Sequence, residues 1–163
     1  SYLDSMTHIF NRNALIERID KIKESQNKDI GIAYFDLNGL KKINDLQGHL
    51  EGDAVLKKTA YLINECFPRK AYRFGGDEFI VFMTNTEIEA DAKAKGEEIL
   101  SILAASEEEP HFTISVGAAA YPAAGQDYES LYLAADHAMY VSKKSGKNRI
   151  YVDIGTTVTE KDD

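Results

Sequence analysis

Leu15, Ile16, Ile19 and Ile22 recur at helical spacing between charged residues, which predicts an amphipathic helix over residues 13–25. The apolar run Ile30-Gly31-Ile32-Ala33-Tyr34-Phe35 is continuous instead. It reads as a short buried strand with Asp36 at its C-terminal end. Residues 38–48 mix Lys, Asn, Asp and Gly and read as a loop with a short helical turn. A second helical stripe follows in Val55, Leu56, Thr59, Leu62, Ile63 and Cys66, and Pro68 stops it. Residues 71–74 and 79–83 are strand-like, with Gly75-Gly76-Asp77-Glu78 between them. Adjacent glycines between two strands predict a hairpin turn that draws on positive φ. Thr86-Glu87-Ile88-Glu89 fits a capping box ahead of a helix with Ile99, Leu100 and Leu103. A strand over 112–121, a helix over 127–144 with Leu131, Ala135, Ala138 and Met139, and a strand over 149–152 complete the pattern. Helices alternate with strands, yet one strand pair is a hairpin. The expected fold is therefore α+β with a mixed sheet, not a doubly wound parallel one.

The 163 residues are the length of one domain, with a polar tail expected over 156–163. The chain opens on Ser1 and reaches patterned sequence within a few residues, which reads as a domain (1–155) excised from a longer protein. Hydrophobic residues make up 44% and charged residues 28%, an ordinary globular balance. No run approaches the roughly 18 apolar residues of a membrane span. One cysteine, Cys66, excludes an internal disulfide framework and a cysteine-based zinc site, and fits a reducing cytoplasm. With 19 Lys+Arg against 27 Asp+Glu, the net charge of -8 argues against DNA or RNA polymers as partners. It leaves room for a small anion held by a few local cations.

Two acidic groups sit where a solvated face would not place them. Asp36 ends an apolar strand, and Asp77 and Glu78 occupy the turn between two others. If those strands are neighbours, three carboxylates converge at one sheet edge, where a hard cation such as Mg²⁺ or Mn²⁺ would relieve their repulsion. Each acid alone also has a structural reading, Asp36 as a turn cap and Asp77 as a hairpin stabiliser. Gly75 and Gly76 would let a ligand lie against the backbone. A helix starting near Gly39 would point free N–H groups at an anion. Asn44 and Asp53 pair an amide with a carboxylate, a set that can read a guanine edge, or else serve turn chemistry and N-capping. Lys143, Lys144, Lys147 and Arg149 are the densest basic cluster, suited to phosphate or to a helix C-terminus. The four histidines have no spaced partners for a metal site.

Arg73-Phe74-Gly75-Gly76-Asp77-Glu78-Phe79 resembles the signature of the GGDEF family, the diguanylate cyclases of bacterial signalling. Residues Asp4 to Arg12 look like that family's opening segment. The stretch from Phe35 to Asp45, then Gly48-His49 and Gly52-Asp53, is similar to its nucleotide-binding region. Ile114-Ser115-Val116-Gly117, Ala135 to Tyr140, Lys143 and Gly146-Lys147-Asn148-Arg149 match its closing elements in order. The resemblance implies a palm-like, mainly antiparallel sheet flanked by helices. It also implies a reaction in which two GTP condense to cyclic di-GMP and two pyrophosphates, across a homodimer of facing domains under an upstream sensor.

Carried over, the resemblance gives Mg²⁺ (or Mn²⁺) to Asp36, the Leu37 carbonyl and Asp77. Base duty falls to Glu78 or Asp77. Guanine reading falls to Asn44 and Asp53, with His49, Gly75 and Gly76 also lining the substrate. The triphosphate falls to N–H groups near Gly39 and Leu40 and to Lys41, Arg73, Lys143 and Lys147. Asn38 stands where the family often has a second Asp, His8 where it usually has Gly, and Lys147 where Arg is common. Many members carry Arg-x-x-Asp five residues before the signature glycines as a product-inhibition site. Here those positions are Cys66, Phe67, Pro68 and Arg69, so that site is expected to be absent. A catalytically silent GTP-binding or protein-interaction module, and a cyclase acting on another base, are the competing readings.

Overall fold

Strands covered on both faces show no polar–apolar alternation, and the apolar runs of this chain are strands of that kind. The computed structural model describes residues 1–25, 29–84, 91–120 and 127–153. In chain order the elements are α1 (Arg12–Glu24), β1 (Gly31–Asn38), α2 (Leu40–Gln47), α3 (His49–Cys66), β2 (Ala71–Arg73), β3 (Glu78–Met83), α4 (Lys93–Ala105), β4 (Thr113–Ala120), α5 (Tyr128–Lys144) and β5 (Ile150–Asp153). The five strands form one sheet in the order β2-β3-β1-β4-β5. All neighbours are antiparallel except β4 and β5, which run parallel. This is the mixed α+β sheet that the pattern predicts, mainly antiparallel as the resemblance implies.

Successive side chains of a strand point to opposite faces, and here each face has its own core. Ala33, Phe35 and Leu37 of β1, with Phe79 and Val81 of β3, pack against Val55, Leu56, Ala60 and Ile63 of α3 and Ile99 and Leu103 of α4. The alternate residues Ile32, Tyr34, Ile80 and Phe82 pack against Leu15 and Ile22 of α1 and Leu131, Ala135 and Met139 of α5. Each fully buried side chain of this size contributes about 1.5–3 kcal/mol. Asn11 caps α1 by accepting from the Ala14 N–H, and Asp127 caps α5 by accepting from Ser130 at 2.8 Å. Gly117 lets α5 approach β4 closely: a Cβ there would meet the Met139 amide nitrogen at 2.2 Å.

Two local expectations are corrected. Residues 38–48 are not a loop: β1 runs through Asn38, and α2 follows between Gly39 (φ 85°) and Gly48 (φ 94°). Ile43 of α2 is buried and Leu40, one turn earlier, packs partly buried against the same core, so this eight-residue helix offers only a short apolar pair to read. The β2–β3 hairpin forms as predicted, but Gly75 and Gly76 do not adopt positive φ. Their turn is instead held by hydrogen bonds: the Phe74 N–H donates to the Glu78 carbonyl at 2.9 Å, and Arg73 donates to the carbonyls of both glycines. The predicted capping box at 86–89, the strand end at Tyr121 and the tail lie outside the described residues. Among the described residues no helix is long and apolar enough to cross a membrane.

Candidate functional site

The sheet register brings the acids together. Asp36 and Glu78 are direct partners across β1 and β3, and the Leu37 N–H donates to the Asp77 carbonyl at 3.0 Å. Asp36 therefore does not end its strand as expected, since β1 continues to Asn38, and it lies beside Glu78, the first residue of β3, with Asp77 in the turn just before it. The Asp36 side chain is only 15% exposed, and burial pushes its carboxyl pKa up. The Asp77 and Glu78 charges push the same way, while the Lys143 ammonium, ion-paired to Asp36 from the end of α5, opposes them. Net, the pKa stays above the ordinary Asp value. Such an acidic corner favours added positive charge. Among the described residues no three or more His, Cys, Asp or Glu side chains gather as a ready-made metal cage.

Glu78 takes a second partner from β1. The Tyr34 hydroxyl donates to Glu78 Oε2. Burial, then the hydrogen bond and charge of Glu78, push the Tyr34 pKa far above its usual value, so the hydroxyl keeps its proton at neutral pH. Asn38 hydrogen-bonds Thr113 and Ser115 of β4 at 3.0 and 3.1 Å.

The α2–α3 corner supplies a different feature. No side chain caps the first turn of α2 at Gly39, Leu40 and Lys41. Asn44 Oδ1, one turn further on, is buried without a hydrogen-bond partner among the described residues. Leaving a buried acceptor unpaired costs roughly 1–3 kcal/mol. Gly52 makes its position possible, because a Cβ there would sit 1.7 Å from that oxygen. Asp53 follows Gly52 directly and is half-buried, and His49 opens α3 with an exposed side chain.

The cations divide into two sets. Lys143 reaches Asp36, while Lys147 is exposed at φ 59° in the turn after α5. Lys41 is exposed at the start of α2. Arg73 is otherwise occupied: its guanidinium pairs with Asp4 at 3.1 Å and donates to the Gly75 and Gly76 carbonyls at 3.3 and 3.0 Å. Asp4 in turn accepts from the Thr7 N–H and hydroxyl at 2.9 and 2.7 Å. Sequence reasoning gave no role to Tyr34 or Asp4. Tyr34 carried a usable signal, since it lies two residues before Asp36 and so shares its face of β1.

The family model for "Diguanylate cyclase, GGDEF domain" matches residues 1–149. The chain belongs to the GGDEF family. It is 36% identical over 156 residues to the cyclic di-GMP phosphodiesterase PdeR of Escherichia coli, covering 91% of this chain and 23% of that protein. It is 34% identical over 160 residues to diguanylate cyclase A of Treponema denticola, covering 90% and 43%. The chain thus spans less than half the length of these curated relatives. The GGDEF domain of DgcB from Caulobacter crescentus, solved in complex with c-di-GMP, superposes with a TM-score of 0.79 at 28% identity, over 94% of this chain and 96% of that one. The GGDEF domain of PA1120 from Pseudomonas aeruginosa gives 0.81 at 26% identity, over 94% and 95%. The five-stranded sheet and its helices are the palm-like fold of these domains.

Proposed function

We propose that the domain is a diguanylate cyclase, condensing two GTP into cyclic di-GMP with release of two pyrophosphates. The observation that carries this reading is the Asp36–Glu78 register pair, with Asp77 beside it and the Lys143 ammonium on Asp36. In each half-reaction a ribose 3′-oxygen forms a bond to the α-phosphorus of the other GTP. The bond to pyrophosphate breaks, and the 3′ proton leaves to a carboxylate, Glu78 or Asp77. Because each domain holds one GTP, two copies must face one another.

The residues present fit a divalent metal: all the donors are oxygens, and Asp36 already attracts a cation. Mg²⁺ is commonly held by one or two carboxylates plus substrate phosphates, so a full protein cage is not needed. Asp36, Asp77 and the Leu37 carbonyl would hold Mg²⁺ or Mn²⁺, which when bound neutralises charge developing on the phosphate oxygens. Asn44 and Asp53 read guanine in this proposal, and the unpaired Asn44 Oδ1 supports it, since a purine N–H would supply the missing donor. His49, Gly75 and Gly76 stay in the proposal as residues lining the substrate. Lys41, Lys143 and Lys147, with the Gly39 and Leu40 backbone, take the triphosphate. Arg73, engaged with Asp4 and the glycine carbonyls, acts on the substrate through the turn that it holds. The absence of a product-inhibition site at Cys66 to Arg69 is part of the proposal, supported by Cys66 and Arg69, which stand where that site has Arg and Asp. The input comes from regions outside this domain in a longer chain, and the enzyme works in the cytoplasm, where GTP and a free thiol are at home.

The test is incubation of the purified domain with GTP and Mg²⁺ at concentrations high enough for pairing, with chromatographic detection of cyclic di-GMP. Wild type makes product, and Asp77→Ala and Glu78→Ala lose it. A silent GTP-binding module is the second reading, favoured by the phosphodiesterase name of the PdeR relative. GTP binding without product in wild type would establish it instead.

A further inference from the structure

Tyr34 is 6% exposed, yet its hydroxyl reaches the end of the sheet where the acids lie. The register explains how. Tyr34 faces Ile80 across the β1–β3 pair and Asp36 faces Glu78, so Tyr34 and Glu78 are diagonal neighbours within reach of long side chains. The ring is held on two sides. Phe74 lies edge-on at 6.0 Å between centroids, Tyr132 of α5 also lies at 6.0 Å, and Phe74 and Tyr132 meet each other at 6.1 Å. Phe74 immediately precedes the two signature glycines, and Arg12 fixes it from outside, donating to its carbonyl at 3.1 Å. Two rings, one from α5 and one beside the signature turn, therefore lock the phenol of β1 in place.

We propose that Tyr34 is a positioning residue for Glu78. Its hydroxyl holds Glu78 Oε2 and leaves Oε1 for the reacting ribose hydroxyl. This deepens the cyclase reading and rests on it, because it takes Glu78 as the carboxylate that meets the 3′-OH. A buried phenol needs a hydrogen-bond partner, whereas a phenylalanine would fill the same space without one. Placing a polar group here matters for what it holds, since the ring triangle would pack equally well around Phe. Glu78 has three rotatable side-chain bonds, and fixing one oxygen removes most of the orientations that would miss the substrate.

Tyr34→Phe tests this directly. The expected result is GTP binding and KM within about twofold of wild type, and kcat per active site lower by about tenfold. Active sites are counted by stoichiometric nucleotide binding, so a merely structural loss lowers the count and not kcat per site. Normal wild-type turnover with an unchanged kcat in Tyr34→Phe, or a loss lying wholly in KM, overturns this proposal alone. A wild type that makes no cyclic di-GMP overturns the cyclase reading first. A urea-unfolding cycle of Tyr34→Phe and Glu78→Gln, alone and combined, reads the contact without any turnover. Non-additive midpoints are expected, and additive ones overturn the proposal. Tyr132→Leu, which removes one of the two rings beside the phenol and keeps Tyr34 itself, covers the case in which Tyr34→Phe does not fold. A smaller drop in kcat at unchanged KM is expected there, and no drop overturns the proposal.

Discussion

Replacing Lys143 by Met keeps most of the side chain's length and takes its charge away from Asp36. The side chains are 38% and 15% exposed, so the pair lies between two well-characterised regimes. Exposed pairs contribute about 0.2–1 kcal/mol, whereas removing one partner of a buried pair costs about 3–5 kcal/mol. For a mostly buried carboxylate facing a half-exposed ammonium, the expected loss at neutral pH is about 2 kcal/mol, or about 4–8 °C in Tm for a domain of this size. The pH dependence is sharper than the magnitude. Burial already raises the Asp36 pKa, and Lys143 is what opposes it, so the variant's folded state holds its proton more tightly still. A carboxyl raised in the folded state loses stability as pH rises through that raised value and regains it as pH falls towards the ordinary Asp range. The deficit of Lys143→Met relative to wild type should therefore shrink as pH falls.

Urea unfolding followed by circular dichroism across the mildly acidic to neutral range measures that difference. Adding Asp36→Asn to Lys143→Met should recover most of the lost stability, because it removes the uncompensated charge. A deficit that is flat or grows towards acid, or that survives Asp36→Asn, would refute the reasoning. The same variant separates two roles of one ammonium. GTP should bind about tenfold more weakly, a change of about 1.4 kcal/mol. Mg²⁺ without nucleotide should stabilise the variant more than wild type, since Lys143 no longer competes for Asp36.

Three further substitutions probe the scaffold. In Gly117→Ala the new Cβ would lie 2.2 Å from the Met139 nitrogen and 2.4 Å from the Ala135 oxygen, both backbone of α5. A loss of about 3 kcal/mol by urea unfolding is expected, and near-wild-type stability would contradict the close β4–α5 approach. Gly52→Ala must displace the Asn44 side chain; stability should change little while GTP affinity falls about tenfold, measured by calorimetry. Unchanged GTP affinity removes Asn44 from the guanine site. For Asp4, burial raises the pKa, but the Thr7 hydrogen bonds and Arg73 outweigh it, and the net direction is down. Asp4 therefore stabilises the fold above the ordinary carboxyl range and loses that contribution as pH falls through its lowered value. Asp4→Asn should cost about 1.5 kcal/mol at neutral pH, and its difference from wild type should vanish in acid.

The elements that were legible in the sequence are those that bury a stripe or a run. The continuous segments that became β1, β3 and β4 and the stripes of α1, α3 and α5 each place several large residues in a core. Periodicity reports that directly. α2 was illegible for the same reason: it is eight residues long, buries Ile43 and packs only Leu40 beside it, too short a stripe to stand out. The signature turn was misread in conformation because its shape is set from a distance. Arg73 clamps the Gly75 and Gly76 carbonyls while anchored on Asp4, whose partner lies 69 positions away in the chain. Composition and spacing carry no trace of such a contact.

The acids of the candidate site were legible as a cluster and their neighbours were not, and strand geometry accounts for the difference. Along one face of β1 the side chains run Ile32, Tyr34, Asp36, from core to boundary to site. Ile32 lies within the apolar core of that face, Tyr34 joins that core through its ring and Glu78 through its hydroxyl, and Asp36 meets Lys143. An apolar run ending in an acid discloses the two ends of this series. Its middle member looks like core by every periodic measure, because nine-tenths of it is core. The position that couples packing to chemistry is therefore hidden by its own burial. A substitution scan of this face should find stability effects falling from Ile32 to Asp36 and turnover effects rising, with Tyr34→Phe changing turnover more than stability.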